Sequence, residues 1–112
     1  MNRIDAPSWA DEMDVRVTVC DRSATIVYMN PASAEGFQKR GGMALIGRSL
    51  FDCHNEKSNQ KIREMLEKPQ THVYVLKKPD EKRLIRQFPW IENGAHMGII
   101  EISFPLPDEG PL

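Results

Sequence analysis

The feature that most constrains this chain is the switch from strand to helix at Met29-Asn30-Pro31. The preceding run, residues 25–29, is rich in β-branched and aromatic residues, which is typical of a strand. Asn30 is a favourable N-cap, because its side-chain carbonyl accepts a hydrogen bond from an unpaired amide of the first turn. Pro31 fits the first helical position, where its missing N–H costs nothing. The segment therefore predicts a strand that turns directly into a short helix over its own sheet, an arrangement that encloses a pocket.

Length and charge exclude several classes of protein. The chain has 112 residues, and 15 Lys and Arg against 16 Asp and Glu give a net charge of −1. This length fits one domain with a real core, and the balanced charge argues against nucleic acid or an anionic membrane as a partner. No run is long and apolar enough to cross a membrane, and the first residues lack the apolar core of a signal peptide, so we expect a cytoplasmic protein. Cys20 and Cys53 are then expected to be reduced thiols.

The rest of the pattern predicts five antiparallel strands with helices on one face, which is an α+β arrangement. The predicted strands are 15–21, 25–29, 71–77, 82–90 and 95–104. The predicted helices are an N-terminal amphipathic helix at 7–13, short helices at 30–37 and 49–54, and a longer one at 56–68. Trp9 and Met13 would share one face of the first helix. The apolar spacing of the longer helix turns Ser58, Ile62, Met65 and Leu66 toward the core.

The order of these elements, together with two stretches of sequence, resembles a PAS domain. The first stretch is Asp21-Arg22-Ser23-Ala24-Thr25-Ile26-Val27-Tyr28-Met29-Asn30, which matches the opening hairpin. The second is Leu45-Ile46-Gly47-Arg48-Ser49-Leu50-Phe51, which matches the segment after the first helix. The resemblance covers about residues 12–106. It implies a PAS fold with an N-terminal amphipathic cap at 1–14, the PAS domain at 15–106 and a flexible tail at 107–112.

The resemblance implies a non-enzymatic sensory or interaction module of a bacterial signalling protein. Some PAS domains hold haem, flavin or small metabolites between the sheet and the helices, and many dimerise through an N-terminal helix and the outer face of the sheet. We therefore expect a homodimer with a protein signalling partner and a small-molecule ligand. Trp9, Met13 and Trp90 are the predicted dimer contacts. A flavin photosensor is not expected, because His54-Asn55 follows Cys53 where the photosensors have Arg-Phe-Leu-Gln.

The predicted ligand-binding residues surround the expected pocket. They are Tyr28, Asn30, Phe37, Phe51, Cys53, His54, Ser58 and Arg86. His54 precedes the cap of the longer helix, and it is a structural tether, a contact to a small ligand, or the axial ligand of a haem-based gas or redox sensor. Catalysis by Cys53 and His54 is not expected, because adjacent side chains seldom face each other and no third group orients them. The three histidines lack the spacing of a metal site, so no metal is predicted.

The two faces of strand 82–90 carry different chemistry. One face holds Leu84, Arg86, Phe88 and Trp90, and the other holds Arg83, Ile85, Gln87 and Pro89. If the first face points inward, Arg86 lies in the pocket and needs an anionic partner. If that face points outward, its apolar side chains form a surface that needs a partner. We favour the outward direction for Trp90, packed with Trp9 and Met13.

The hairpin formed by residues 77–86 is rich in Lys and Arg, which raises an RNA-binding alternative. Asp80 and Glu81 interrupt the basic cluster, and the net charge of the chain is negative. A solvated hairpin is therefore the favoured interpretation.

Overall fold

The structure is a computed structural model that describes residues 4–107. The described strands are β1 (Arg16–Asp21), β2 (Ile26–Met29), β3 (His72–Lys78), β4 (Glu81–Glu92) and β5 (Ala95–Pro105). The described helices are α1 (Ser8–Asp11), α2 (Pro31–Gly36) and α3 (Glu56–Glu67), with 3₁₀ turns at Gln38–Arg40, Gly42–Leu45 and Leu50–Cys53. The strands form one antiparallel sheet in the order β2-β1-β5-β4-β3. The predicted fold class, a five-stranded antiparallel sheet with short helices and one longer helix, is confirmed.

The N-terminal amphipathic helix predicted at 7–13 is not confirmed. The structure has a single turn, Ser8–Asp11, whose N-cap is Pro7 and which has no side-chain capping bond. One turn is too short to place Trp9 and Met13 on a common face, and Trp9 is 65% exposed. Instead, the N-terminal segment packs on the sheet, and Ala10 is the buried residue of its single turn. Residues 1–3 of the predicted cap, and 108–112 of the predicted tail, lie outside the described residues.

Around β1 the sheet is covered on both faces. Val17 and Val19 point to the outer face, where they pack with Tyr28 and the N-terminal segment. Cys20 points to the inner face, where it belongs to one buried cluster with Ile99 of β5 and with Ile62, Met65 and Leu66 of α3. The valine stripe therefore belongs to the outer layer, while the residues between the valines face the helices.

The side chain of Asn30 joins three segments of the chain by hydrogen bonds. Its side-chain Oδ1 accepts from the backbone amides of Ser33 and Val17, each at 2.9 Å. The first bond caps α2, as the sequence predicted, and the second holds the start of β1. Its Nδ2 donates to the carbonyl oxygens of Ala10 at 3.1 Å and Val15 at 2.8 Å. Every hydrogen-bonding position of this fully buried side chain is thus occupied by backbone.

The segment that follows the second 3₁₀ turn is attached along the edge of β2. The amide of Gly47 donates to the carbonyl of Ile26 at 2.7 Å, and the amide of Ile26 donates to the carbonyl of Arg48 at 2.9 Å. The amide of Leu50 donates to the carbonyl of Ala24 at 2.8 Å. These bonds cover one edge of the sheet and hold the irregular segment over its inner face, where it forms the roof of a cavity.

No helix in the described part of the chain has the length and apolar character needed to span a membrane.

Candidate functional site

A largely enclosed cavity of about 70 Å³ lies between the inner face of the sheet and the helical side of the domain. Its apolar walls are formed by Cys20, Ile26, Met29, Phe37, Leu45, Leu50, Ile62, Met65 and Ile99. Its polar lining residues are Thr18, Arg40, His54, Gln87 and Glu101. One water needs about 10–15 Å³ of such space, so the cavity has room for a molecule of roughly five non-hydrogen atoms. An apolar pocket with a few converging polar groups is the usual form of a small-molecule site.

The polar groups of the cavity floor lie in one row across four strands. Thr18 pairs with Glu101, Glu101 with Gln87, and Gln87 with His72 in the register of the sheet. Gln87 Nε2 donates to Glu101 Oε2 at 2.8 Å, which leaves Gln87 Oε1 as an acceptor facing His72 Nδ1 at 3.1 Å. His72 Nδ1 therefore carries the proton and donates it. This chain fixes the orientation of Gln87 and presents the Glu101 carboxylate to the cavity.

Cys20 contributes a neutral thiol to this site. Burial raises the pKa of the Cys20 thiol to about 12, and the nearby carboxylates of Asp21 and Glu101 add to the rise, against a lowering contribution from the Ile99 backbone. A thiol of this kind is neither a nucleophile nor a metal ligand at neutral pH, because both roles need the thiolate. Cys20 acts as a small apolar side chain in the wall of the cavity.

We expect the Cys20 thiol to be unreactive in the folded protein. In a Cys53→Ser variant, where Cys20 is the remaining cysteine, a thiol reagent at pH 8 should label the native state slowly and the urea-unfolded state at once. The raised pKa also sets the direction in which the free energy of unfolding changes with pH. Above pH 9 the unfolded chain loses this proton before the folded one does, so the folded state becomes less stable between pH 9 and about 12. Rapid labelling of the native state would contradict the burial of this group.

A second, open groove of about 400 Å³ lies between α3 and β3, next to the cavity. Its lining residues are His54, Lys57, Ser58, Lys61, Ile62, Met65, His72, Tyr74, Leu76 and Gln87. Four of these also line the enclosed cavity, namely His54, Ile62, Met65 and Gln87. The two spaces are therefore separated by little more than these side chains, and the groove is the natural approach to the cavity from solvent.

Some of the predicted ligand-binding residues lie at these two spaces. Phe37 lines the cavity, Ser58 lines the groove, and His54 lines both. Phe51 is half-buried beside the same core, and the Arg63 guanidinium lies 5.0 Å from its ring centroid. The side chain of Cys53 lies outside the described part of the structure.

Tyr28, Asn30 and Arg86 do not line the cavity or the groove. Tyr28 faces the outer layer, and its hydroxyl donates to Asp11 Oδ1 at 2.7 Å. Asn30 has no bonding capacity left for a ligand, because backbone groups use all of it. Arg86 is exposed on the outer face, since Gln87 beside it points inward. Arg86 thus lies on the outward face that was favoured for Trp90. It is therefore not a lining residue of the pocket.

The residues predicted for a dimer contact lie together only in part. Trp90 and Met13 pack against the same buried cluster on the outer face. Trp9 points away into solvent. Trp90 and Met13 therefore stabilise the fold by joining the N-terminal segment to the sheet.

Sequence reasoning missed four polar residues of the cavity, namely Thr18, Arg40, Gln87 and Glu101. Glu101 is a single charged residue within the run Ile99-Ile100-Glu101-Ile102, and this break in an otherwise apolar strand is a signal that the sequence does carry. Gln87 follows from the parity of β4 once Trp90 points outward. Thr18 carries no comparable signal, because alternation made it one of several polar residues on the face opposite the valines.

Metal binding and haem binding make different demands on the residues of this site. Among the side chains that it describes, no three His, Cys, Asp or Glu residues lie close enough to hold a metal ion. The enclosed cavity beside His54 does not fit a porphyrin, because its volume of about 70 Å³ is far below the roughly 300–1,000 Å³ of sites for larger ligands. His54 Nδ1 lies 2.8 Å from the Leu50 carbonyl oxygen, a bond typical of a tether for the preceding turn.

A model of the PAS fold matches residues 10–103, which is most of the chain. No curated protein matches the chain by sequence. Among solved structures, the Vibrio cholerae VqmA dimer in the absence of target DNA is similar, with a TM-score of 0.71 and 20% identity. The match covers 90% of this chain and 50% of the VqmA chain, so this chain spans half the length of that protein. VqmA bound to DPO is similar to the same extent, with a TM-score of 0.71 and 20% identity.

Two other solved structures show the same likeness. The Aer2 receptor from Vibrio cholerae, described as a dual PAS-haem oxygen sensor, has a TM-score of 0.65 at 14% identity, over 85% of this chain and 96% of that one. The PAS domain of the histidine kinase ThkA has a TM-score of 0.65 at 18% identity, over 81% of this chain and 98% of that one. At identities this low, the likeness shows the fold alone.

Proposed function

This chain belongs to the PAS-fold family, and we propose that it is a non-enzymatic sensory module that binds a small ligand between its sheet and helices. PAS domains are modules of the sensory and signalling kind. The proposed output is a change in the surface that the domain presents to a second copy of itself or to a protein partner. We also propose a cytoplasmic location and no nucleic-acid partner, although VqmA, whose structure is similar, is a DNA-binding protein.

The observation that carries the proposal is the enclosed cavity with its row of polar groups. The roof of the cavity is formed by the irregular segment between α2 and α3, which supplies Phe37, Leu45 and Leu50. This segment consists of short 3₁₀ turns, and such turns have fewer and poorer hydrogen bonds than a regular helix. A ligand that favours one arrangement of the roof shifts the population of the domain toward it. The small volume indicates a ligand of few atoms, or one that enters as the roof moves.

The proposed contact with a second copy uses the part of the outer face that the N-terminal segment leaves open. On β3, Val73 and Val75 are 46% and 44% exposed. Their cross-strand neighbours are Arg86 and Leu84, and Leu84 in turn pairs with Phe104. Exposed apolar side chains that adjoin one another on a sheet are typical of an interaction surface. Dimeric VqmA supports the same interpretation for a PAS protein of similar fold.

Native mass spectrometry of the purified protein tests ligand and dimer together. We expect a small bound mass on the wild type and its loss in Ile99→Phe, where the added ring enters the cavity. Ile100→Phe is the matched control, because Ile100 is the next residue of β5 and points to the outer face. We expect that variant to keep the bound mass.

The same spectra report the oligomeric state. We expect a wild-type mass of twice the chain and a monomer for the double variant Val73→Asp with Val75→Asp. Lys39→Asp, a change of charge in the exposed 3₁₀ turn on the helical side, should leave the dimer intact. A monomeric wild type would contradict the dimer. A wild type that carries no small molecule, and that an extract of cellular metabolites does not stabilise against heat, would contradict ligand binding.

A further inference from the structure

The groove between α3 and β3 is lined by basic side chains. Lys57 and Lys61 extend from α3, and His54 and His72 border the same space. Hydroxyl groups of Ser58 and Tyr74 add further donors, and no carboxylate is among the described lining residues of the groove. The groove also adjoins the first turn of α3, whose dipole is positive at that end. Charge and hydrogen-bonding capacity therefore favour an anionic group at this position.

The cavity behind the groove does not share this excess of basic groups. Among its described lining residues, the Glu101 carboxylate of the floor, held by the Gln87 amide at 2.8 Å, is balanced by Arg40, and the remaining walls are mostly apolar. A carboxylate or phosphate would be repelled from the Glu101 end, while a short hydrocarbon chain would be favoured beside Ile62 and Met65. An anionic ligand is thus oriented with its charge in the groove and its apolar part in the cavity.

The side chains that separate the groove from the cavity can adapt to such a ligand. Ile62 and Met65 line both the cavity and the groove. Methionine has an unbranched side chain that adapts its shape at low cost. Lys61 Nζ donates to Gln70 Oε1 at 3.0 Å, and Gln70 lies outside the groove lining, so Lys61 exchanges this bond for one to the anion when it binds the ligand.

From these observations we infer that the ligand is a small amphipathic anion, with a carboxylate or phosphate group bound by Lys57 and Lys61 and a short apolar chain inserted between Ile62 and Met65. This inference rests on the proposed ligand-binding function and names the chemical class of the ligand. Since the cavity has room for roughly five non-hydrogen atoms, chains of about five or six carbons should fill it. Longer chains would require the roof to open.

Isothermal titration calorimetry at fixed ionic strength tests the inference with straight-chain carboxylates from acetate to octanoate. Affinity should rise about fourfold for each added methylene until the cavity is full, because each buried methylene adds the same hydrophobic contribution. Hexyl phosphate distinguishes the two anionic groups, since the tighter of hexanoate and hexyl phosphate identifies which one the groove accepts. Hexanol and hexylamine, which have the same chain without a negative charge, should bind far more weakly.

Charge-removing variants test the position of the anionic group. Lys57→Gln with Lys61→Gln should weaken hexanoate binding roughly tenfold or more, because hydrogen bonds to a charged partner are lost. The matched control is Lys77→Gln with Lys82→Gln, two exposed lysines that face each other across β3 and β4 on the opposite face of the sheet. The control should leave the affinity unchanged.

The possible failures separate the inference from the function on which it rests. If hexanol or hexylamine binds as tightly as hexanoate, or if the control variant weakens binding as much as the groove variant, the anionic class is wrong while ligand binding stands. If none of these compounds binds but native mass spectrometry finds another bound molecule, the anionic class is again wrong while ligand binding stands. If no compound binds and no bound mass is found, both the inference and the proposed function fail.

Discussion

Replacing Asn30 with Ala is expected to destabilise the domain by about 3–5 kcal/mol. The side chain is fully buried and makes four hydrogen bonds to backbone groups of three segments. Its truncation leaves buried amides and carbonyls without partners, and each such group costs about 1–3 kcal/mol when nothing else satisfies it. For a domain of ordinary stability, about 5–15 kcal/mol, this is a large share. Urea unfolding followed by circular dichroism measures the loss.

Two variants distinguish this role from that of a simple helix cap. Asn55→Ala removes the N-cap of α3, where one exposed bond to the Ser58 amide at 2.8 Å is lost, so about 1 kcal/mol is expected. Asn30→Asp keeps the capping oxygen but places a second oxygen against the carbonyls of Ala10 and Val15. If Asn30 were only a cap, Asp would be nearly neutral, because Asn and Asp cap equally well. We expect Asn30→Asp to be as destabilising as Asn30→Ala.

Asn30 also shows how far the sequence could predict this structure. Its capping role follows from neighbouring residues, since an Asn-Pro pair after a strand has a local meaning. The bonds to Ala10, Val15 and Val17 join residues that are 13 to 20 positions away in the chain. No local pattern specifies such contacts, because they exist only after the N-terminal segment has packed against the sheet.

The candidate site was predictable to a similar extent. The positions of Phe37 and His54 beside the cavity agree with the order of elements, because each lies where one short helical element ends and the next begins. The composition of the sheet floor depends on which face of each strand points inward. Both faces of β5 are apolar, since Ile99 faces the helices and Ile100 faces the N-terminal segment, so its alternation carries little information. Glu101 is placed in the cavity by the register of the sheet, which the sequence does not state.

The second large effect is expected for Gly98→Ala, which should destabilise the domain by about 3–5 kcal/mol and alter the cavity. Gly98 lies in β5 opposite Asp21, at a point where the backbone of β1 approaches closely. A Cβ atom there would collide with the backbone carbonyl oxygen of Cys20 and lie 2.9 Å from the Asp21 Cα. Both obstacles are backbone atoms, so the strain cannot be relieved by rotating a side chain. One strand has to move, and both Cys20 and Ile99 on these strands line the cavity.

Gly94→Ala is the matched control, because it separates the close approach from the backbone conformation. Gly94 also has a positive φ, at 79°, but a Cβ built there has nothing within 4 Å. It lies in the turn between β4 and β5, so its replacement should cost only about 1 kcal/mol of conformational strain. Equal losses for the two variants, measured by thermal and urea unfolding, would show that β1 and β5 are not in close contact at Gly98. A larger loss for Gly98→Ala, together with weaker binding of any cavity ligand, would show that this contact supports both the sheet and the site.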